Sequence, residues 1–152
     1  FGDIINCKPI RCGDTINFYY EGRNHVHGPH NVRGTAYANA MDAVMGLATL
    51  RVDGFCSIES GSFGGHLVTE PIPAAGKSLL MNARTVGAGS MHIELVDRNF
   101  KPLADKPLKF SGDAIAVPLR FGAGVKLPVT ADGSVRLKIY LEKAALFGFT
   151  IR

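Results

Sequence analysis

Three groups of side chains have types and spacings that could do chemistry. His25, His27 and His30 form an H-x-H-x2-H cluster. If residues 25–27 are extended, His25 and His27 share a face and could hold a metal together with His30. The adjoining Gly28-Pro29 favours instead a polar loop of solvated histidines, and no metal or other cofactor is expected. Arg51 and Asp53 are two apart and so share one face of a strand. They could bind sugar hydroxyls through charge-assisted hydrogen bonds, or form an ion pair that fixes a bend at Gly54. The second reading is preferred; breaking such a pair costs about 3 kcal/mol or more where it is buried. His66, Glu70, Asn82, Arg84, His92 and Glu94 form the polar half of alternating strands. Their default place is a solvated outer face, and on a concave sheet the same residues would suit a carbohydrate. Carboxylates for glycoside hydrolysis can be sought among Asp53, Glu59, Glu70, Glu94 and Asp97. No spacing pairs two of them at the separation of roughly 5–9 Å that such catalysis requires.

These residues need a scaffold, and the pattern specifies one. Ile4–Ile10 and Thr15–Tyr20 flank a turn at Cys12-Gly13-Asp14 and predict a short β-hairpin. Residues 21–44 follow without a period and end in an alanine-rich tract from Ala36 to Ala43 that could form one or two helical turns. A connection this long is usually functional or joins two structural units. Leu47–Ile58 then reads as one apolar strand opening a regular β domain. Leu67–Thr69 and Ser78–Arg84 predict strands, and Val86–Ser90 a glycine hairpin loop leading into Met91–Asp97. Ile115–Phe121, an edge or bulged strand because of Pro118, follows, then Val135–Leu141 and Ala145–Ile151. Strands of this kind, each with one apolar face, are satisfied by two antiparallel sheets packed face to face. The expected fold is all-β, a jelly-roll-like two-sheet β-sandwich at residues 45–152, preceded by an N-terminal hairpin and connecting segment at 1–44. A closed barrel is the alternative.

Composition excludes several classes. The chain has 152 residues, of which 46% are hydrophobic and 20% charged, enough for a proper core. The net charge of +4 comes from scattered Lys and Arg rather than a basic stripe, so no nucleic-acid partner is expected. No apolar run approaches the roughly 20 residues that span a bilayer, so no membrane partner is expected either. Trp is absent, which removes the commonest sugar-stacking platform. The chain begins at Phe1 without a basic-then-apolar leader, and the expectation is that a leader was removed or that the chain is a piece of a longer one. Cys7 and Cys12 either bridge across a tight turn or stay free, and Cys56 is expected as a small buried hydrophobe in its strand.

Leu50-Arg51-Val52-Asp53-Gly54-Phe55-Cys56-Ser57 resembles the R-x-D-G-F-x-S segment that opens the C-terminal β-sandwich of bacterial proteins related to glycoside hydrolase family 32. Leu67–Pro71, Leu79–Ala83, Ile93–Asp97 and Val135–Phe149 extend the resemblance. Gly13–Gly22 is similar to the G-D-x-x-x-x-Y-Y-x-G segment ending the propeller of such proteins. Relatives often carry a tryptophan where Arg120 or Phe121 stands here. The resemblance implies a secreted or periplasmic accessory domain whose catalytic carboxylates would lie upstream of Phe1, on a catalytic domain of the same parent chain. It also implies a tail of the last propeller blade at the N-terminus.

The expected function is therefore a non-catalytic, carbohydrate-associated module. It would bind an oligo- or polysaccharide through residues among Arg51, Asp53, His66, Glu70, Asn82, Arg84 and His92, or stabilise a catalytic domain. A small stand-alone glycan-acting enzyme and a protein-interaction or oligomerisation module are the alternatives.

Overall fold

The computed structural model describes residues 3–6, 8–23, 43–121, 124 and 126–152. The His25, His27 and His30 cluster, Cys7 and most of the alanine-rich tract lie outside these residues. The fold is all-β: the described residues form eleven strands in two antiparallel sheets, neither closed into a barrel, as in a β-sandwich. The chain divides into two units, Phe1–Val52 and Asp53–Arg152.

The first unit holds β1 (Asp3–Asn6), β2 (Ile10–Cys12), β3 (Thr15–Arg23) and β4 (Ala43–Arg51). The centre is β3, paired along its whole length with β4 and on its other edge with β1 and β2. The strand expected to open the sandwich thus behaves differently. Its first half, to Arg51, completes the N-terminal sheet, and the chain then turns at Val52-Asp53. The division therefore falls at Val52/Asp53 rather than at 44/45. The physical reason is register. Thr15↔Arg51 through Arg23↔Ala43 pair without a break, placing Tyr20 opposite Gly46 and Tyr19 opposite Leu47. The Tyr20 ring covers Gly46 so closely that a Cβ there would lie 2.3 Å from it. Cys56, beyond the turn, is exposed rather than buried, and Cys12 is a free exposed thiol.

The second unit contains β5 (Ile58–Ser60), β6 (Gly65–Val68), β7 (Ile72–Pro73), β8 (Leu79–Val96), β9 (Leu108–Phe110), β10 (Asp113–Leu119) and β11 (Ser134–Ile151). Two strands of 18 residues, β8 and β11, form its middle. β9 and β10 follow one another along the free edge of β8, and β5, β6 and β7 along the free edge of β11. The expected hairpin at Val86–Ser90 does not form. Met91–Val96 does not fold back on Leu79–Thr85; both segments pair with β11. The glycines serve a bulge instead. Residues 86–89 of β8 stand opposite the single residue Lys143, between the pairs Thr85↔Ala144 and Ser90↔Glu142.

Irregularities lie at this level across the whole sheet. On one side Gly112, between β9 and β10, accepts from Thr85 N at 2.8 Å and donates to Thr85 Oγ1 at 2.9 Å. On the other, Lys143 N donates to Gly61 O at 3.1 Å, between β5 and β6. Lys143 itself takes a left-handed φ of 46°. The backbone of β8 is pressed against it there: a Cβ on Gly89 would stand 2.4 Å from Lys143 O and 2.8 Å from Glu142 O. This transverse crease lets both halves of β8 and β11 bury side chains in one cluster. Leu79, Met81 and Ala83 come from one half of β8, Met91, Ile93 and Leu95 from the other, and all six are buried. In β11 the positions in this cluster run Val135, Leu137, Ile139 and Leu141, then shift to Ala144 and Leu146 across the bulge. A second register shift between Leu146 and Gly148 returns Phe149 and Ile151 to the core side. Pro118 lies in β10, an edge strand with a register shift between Ala114 and Val117, where a missing N–H is tolerated.

β11 is entered through Thr130-Ala131-Asp132-Gly133. The Asp132 carboxylate accepts from Ser134 Oγ at 2.6 Å and Ser134 N at 3.0 Å, from the Thr130 hydroxyl, and from Arg98 Nη2 at 3.0 Å. These donors, the Ser134 hydroxyl foremost, lower its pKa to about 2.

Two measurements check this reading. Gly89→Ala should lower unfolding stability by about 1–3 kcal/mol, since the added methyl meets backbone that cannot yield without opening the crease. Denaturant midpoints compared with wild type decide it, and an unchanged midpoint refutes the tight approach. A carboxylate whose folded pKa is depressed stabilises above its unfolded value, near 4, and ceases to do so as pH falls through about 2. Thermal stability should therefore fall between pH 4 and 2, and Asp132→Asn should flatten that part of the profile.

Candidate functional site

The alternation that buries the odd-numbered residues of β8 between Met91 and Leu95 turns His92 and Glu94 to the opposite, outer face. In β11 the same rule turns Arg136, Lys138, Tyr140 and Glu142 outward, and in β6 it turns His66 outward opposite Tyr140. Cross-strand pairing then sets His66, Tyr140, His92 and Lys109 side by side on four adjacent strands. The His66 and Tyr140 rings lie 5.5 Å apart at an interplanar angle of 37°. One pair further along, Lys138 Nζ sits 4.9 Å from the centre of the Tyr140 ring and 3.9 Å from Glu94 Oε2. A hydrogen bond to Tyr140 raises the Lys138 pKa above its ordinary value; desolvation opposes this, and the Glu94 charge adds to it.

Against the crease this row borders an open depression of about 390 Å³. His66, Tyr140 and His92 form one wall, Ser90 and Glu142 lie at its crease end, and Phe63 stands at the rim. Phe63 is fully exposed at the tip of the Gly61–Gly64 turn. The turn exists to carry the chain from β5 to β6, and it has no structural use for a phenylalanine at its tip. The chemistry on offer is two aromatic side chains, two imidazoles, two hydroxyls (Ser90 and the phenol of Tyr140) and one carboxylate. Only one carboxylate, Glu142, lines the depression. Among the described residues no group of three or more His, Cys, Asp or Glu is placed to hold a metal.

The residues singled out from sequence are thus dispersed, and the structure brings only His66 and His92 together. Glu70 pairs with Arg136 at 3.5 Å, where Arg136 also packs its guanidinium 5.6 Å from the Phe100 ring centre. Arg84 lies across the crease from this row, 5.9 Å from the centre of the Phe147 ring, beside a second depression of about 340 Å³ that includes Glu59 and Lys143. Asn82 is 5% exposed and so is a buried polar side chain rather than part of a solvated face. Arg51 ends β4 in the first unit, and Asp53 begins the second. Asp53 is exposed, with a left-handed φ of 55°, so the bend is made by the aspartate itself and not by Gly54. Tyr140, Phe63 and Glu142 were not foreseen. For Tyr140 the signal was present, since strict alternation from Val135 sends it outward with Arg136 and Lys138. For Phe63 it was an aromatic residue enclosed by glycines.

Comparison with protein-family models, with curated proteins and with solved structures gives no match for the chain.

The geometry at Asp53 has a direct test. A left-handed conformation costs an ordinary L-residue about 1–2 kcal/mol and costs glycine nothing. Asp53→Gly should therefore leave the melting temperature unchanged or higher, and Asp53→Val should lower stability by about 1–2 kcal/mol. A loss near the 3 kcal/mol of a broken buried ion pair for both variants would restore the pair as the cause.

Proposed function

We propose that the chain is a non-catalytic, carbohydrate-associated β-sandwich module that binds an oligo- or polysaccharide on the outer face of its C-terminal unit. The observation that carries this reading is the cross-strand row of His66, Tyr140 and His92 beside the exposed Phe63. Sugars present apolar C–H faces and a rim of hydroxyls. Aromatic rings take the first, and polar side chains held by a rigid sheet take the second. Here the tyrosine ring is braced by His66 on one side and Lys138 on another, so little side-chain freedom is left to lose on binding. Ser90 and Glu142 supply further hydrogen-bonding groups at the crease end. A single lining carboxylate fits binding better than hydrolysis, which needs two.

The resemblance to the C-terminal sandwich of bacterial proteins related to glycoside hydrolase family 32 supports the same reading. On it, catalysis would belong to an upstream domain of a secreted or periplasmic parent protein, which this module would help to target or to stabilise.

Isothermal titration against a panel of plant and microbial polysaccharides tests the proposal. Wild type should bind at least one of them. Tyr140→Ala should weaken that binding at least tenfold, about 1.4 kcal/mol, and Phe63→Ala should weaken it measurably, with the melting temperature of the Phe63 variant unchanged. No binding to any member of the panel, or binding indifferent to both substitutions, would refute a glycan site here.

A further inference from the structure

The N-terminal sheet poses a different problem. Ala43–Arg51 pairs with β3 on one side, and among the described residues no strand pairs with its other edge. Proteins blunt such edges with charges, proline, bulges or short length, because an open row of N–H and C=O groups recruits another strand. This edge has none of those devices. It is nine residues long, it carries no charge and no proline from Ala43 to Leu50, and its register with β3 is unbroken. Its side chains are also exposed: Val44 is 65%, Met45 69% and Leu47 51% accessible, and the cross-strand neighbour Tyr19 39%.

We infer that this edge pairs with the same edge of a second copy of the chain, antiparallel about a two-fold axis at Leu47. The occupant is argued from self-complementarity. An isologous contact sets each residue against a symmetry mate of the same strand. Centred on Leu47, the pairs are Leu47 with Leu47, Gly46 with Ala48, Met45 with Thr49, Val44 with Leu50 and Ala43 with Arg51. Every pair joins residues of one sheet face, and no two charges of like sign meet, which would destabilise a directly opposed pair. The register also gathers an apolar stripe. Tyr19 stands beside Leu47 within each copy, so the centre would read Tyr19, Leu47, Leu47, Tyr19 across four strands. The two four-stranded sheets then form one continuous sheet of eight. Any other register that keeps the faces moves the leucines apart and breaks this stripe. The surface lies in the first unit, and the pairing is independent of the glycan reading.

Light scattering coupled to size exclusion, run on the 152-residue chain across a concentration series, tests this. Wild type should approach twice the 16.3 kDa monomer mass. Leu47→Lys places two ammonium groups opposite one another and should give a monomer, as should Leu47→Glu with its two carboxylates. Both substitutions are at an exposed position, and far-UV circular dichroism checks that the sheet is retained. Mixing the two variants should restore the dimer mass, because lysine then meets glutamate at the axis. Val86→Lys, exposed on the other unit, should remain dimeric. A wild type that is monomeric at all concentrations overturns the inference, including the case in which the edge serves a strand of a different protein. It is also overturned by a dimer that survives Leu47→Lys, or by folded Lys and Glu variants that fail to associate when mixed.

Discussion

The second unit depends on one mechanical constraint: two 18-residue strands have to break register at one level and resume their pairing beyond it. A straight antiparallel pair of that length would spread its apolar residues along roughly 60 Å. The side chains at its two ends could not then share a core. The crease removes the difficulty. It needs an excess of residues on β8, a left-handed residue on β11, and no Cβ where the two backbones touch. Residues 86–89, Lys143 and Gly89 meet those needs in turn. Their neighbours inherit the same level, with Gly112 on one side hydrogen-bonded to Thr85 and Gly61 on the other to Lys143. The core follows from this: Met81 and Met91 belong to one cluster although the bulge separates them in the strand.

The candidate site follows from the crease as well. The bulge changes register by an odd number of residues, so the β11 positions on the core side pass from odd numbers to even ones. On one side of the crease the outer row carries His66, Tyr140, His92 and Lys109; on the other Glu59, Arg84 and Asp113 are exposed, while Ala145, which pairs with both Glu59 and Arg84, is buried. The break in the sheet opens a depression at the end of the first row. A flat sheet would offer the same side chains on an even surface, with no recess beside them. Because the core lies on the opposite face, neither Tyr140 nor Phe63 belongs to the core cluster.

Much of this was legible in the sequence, and the misreadings have a common cause. Alternation alone identified the buried face of Met91–Leu95 and of Val135–Leu141, and it placed His92 and Glu94 outside. It could not identify partners. Val86-Gly87-Ala88-Gly89-Ser90 reads as a hairpin loop because a tight loop and a wide bulge ask for the same residues, small ones that tolerate positive φ. Only the pairing of both flanks with β11 separates the two. Leu47–Ile58 reads as one strand because it is apolar on both sides of Arg51. The turn at Val52-Asp53 is carried by an aspartate in a left-handed conformation, which aspartate tolerates better than most residues and does not advertise. Asn82 illustrates a further limit, since a polar residue in an alternating strand defaults to solvent, whereas here it is buried opposite Gly148, a partner without a side chain.

The two units solve the burial problem unequally. In the second, the crease gives a sheet an inside, and sixteen buried residues occupy it. In the first, Val52 is the only residue of described burial that is buried. The strands of β3 and β4 are nonetheless apolar on both faces, with Ile16, Phe18 and Leu50 on one and Tyr19, Met45 and Leu47 on the other. A sheet with that composition, left as a single layer, holds apolar surface in water at about 25 cal/mol per Å². Lengthening it by a strand pair satisfies the edge of β4 that no described strand pairs with and covers the side chains nearest that edge, but it leaves most of both faces as they were. Edge pairing and face burial are therefore separate demands on this unit. The charge-free, unbroken strand from Ala43 to Leu50 is suited to the first of them.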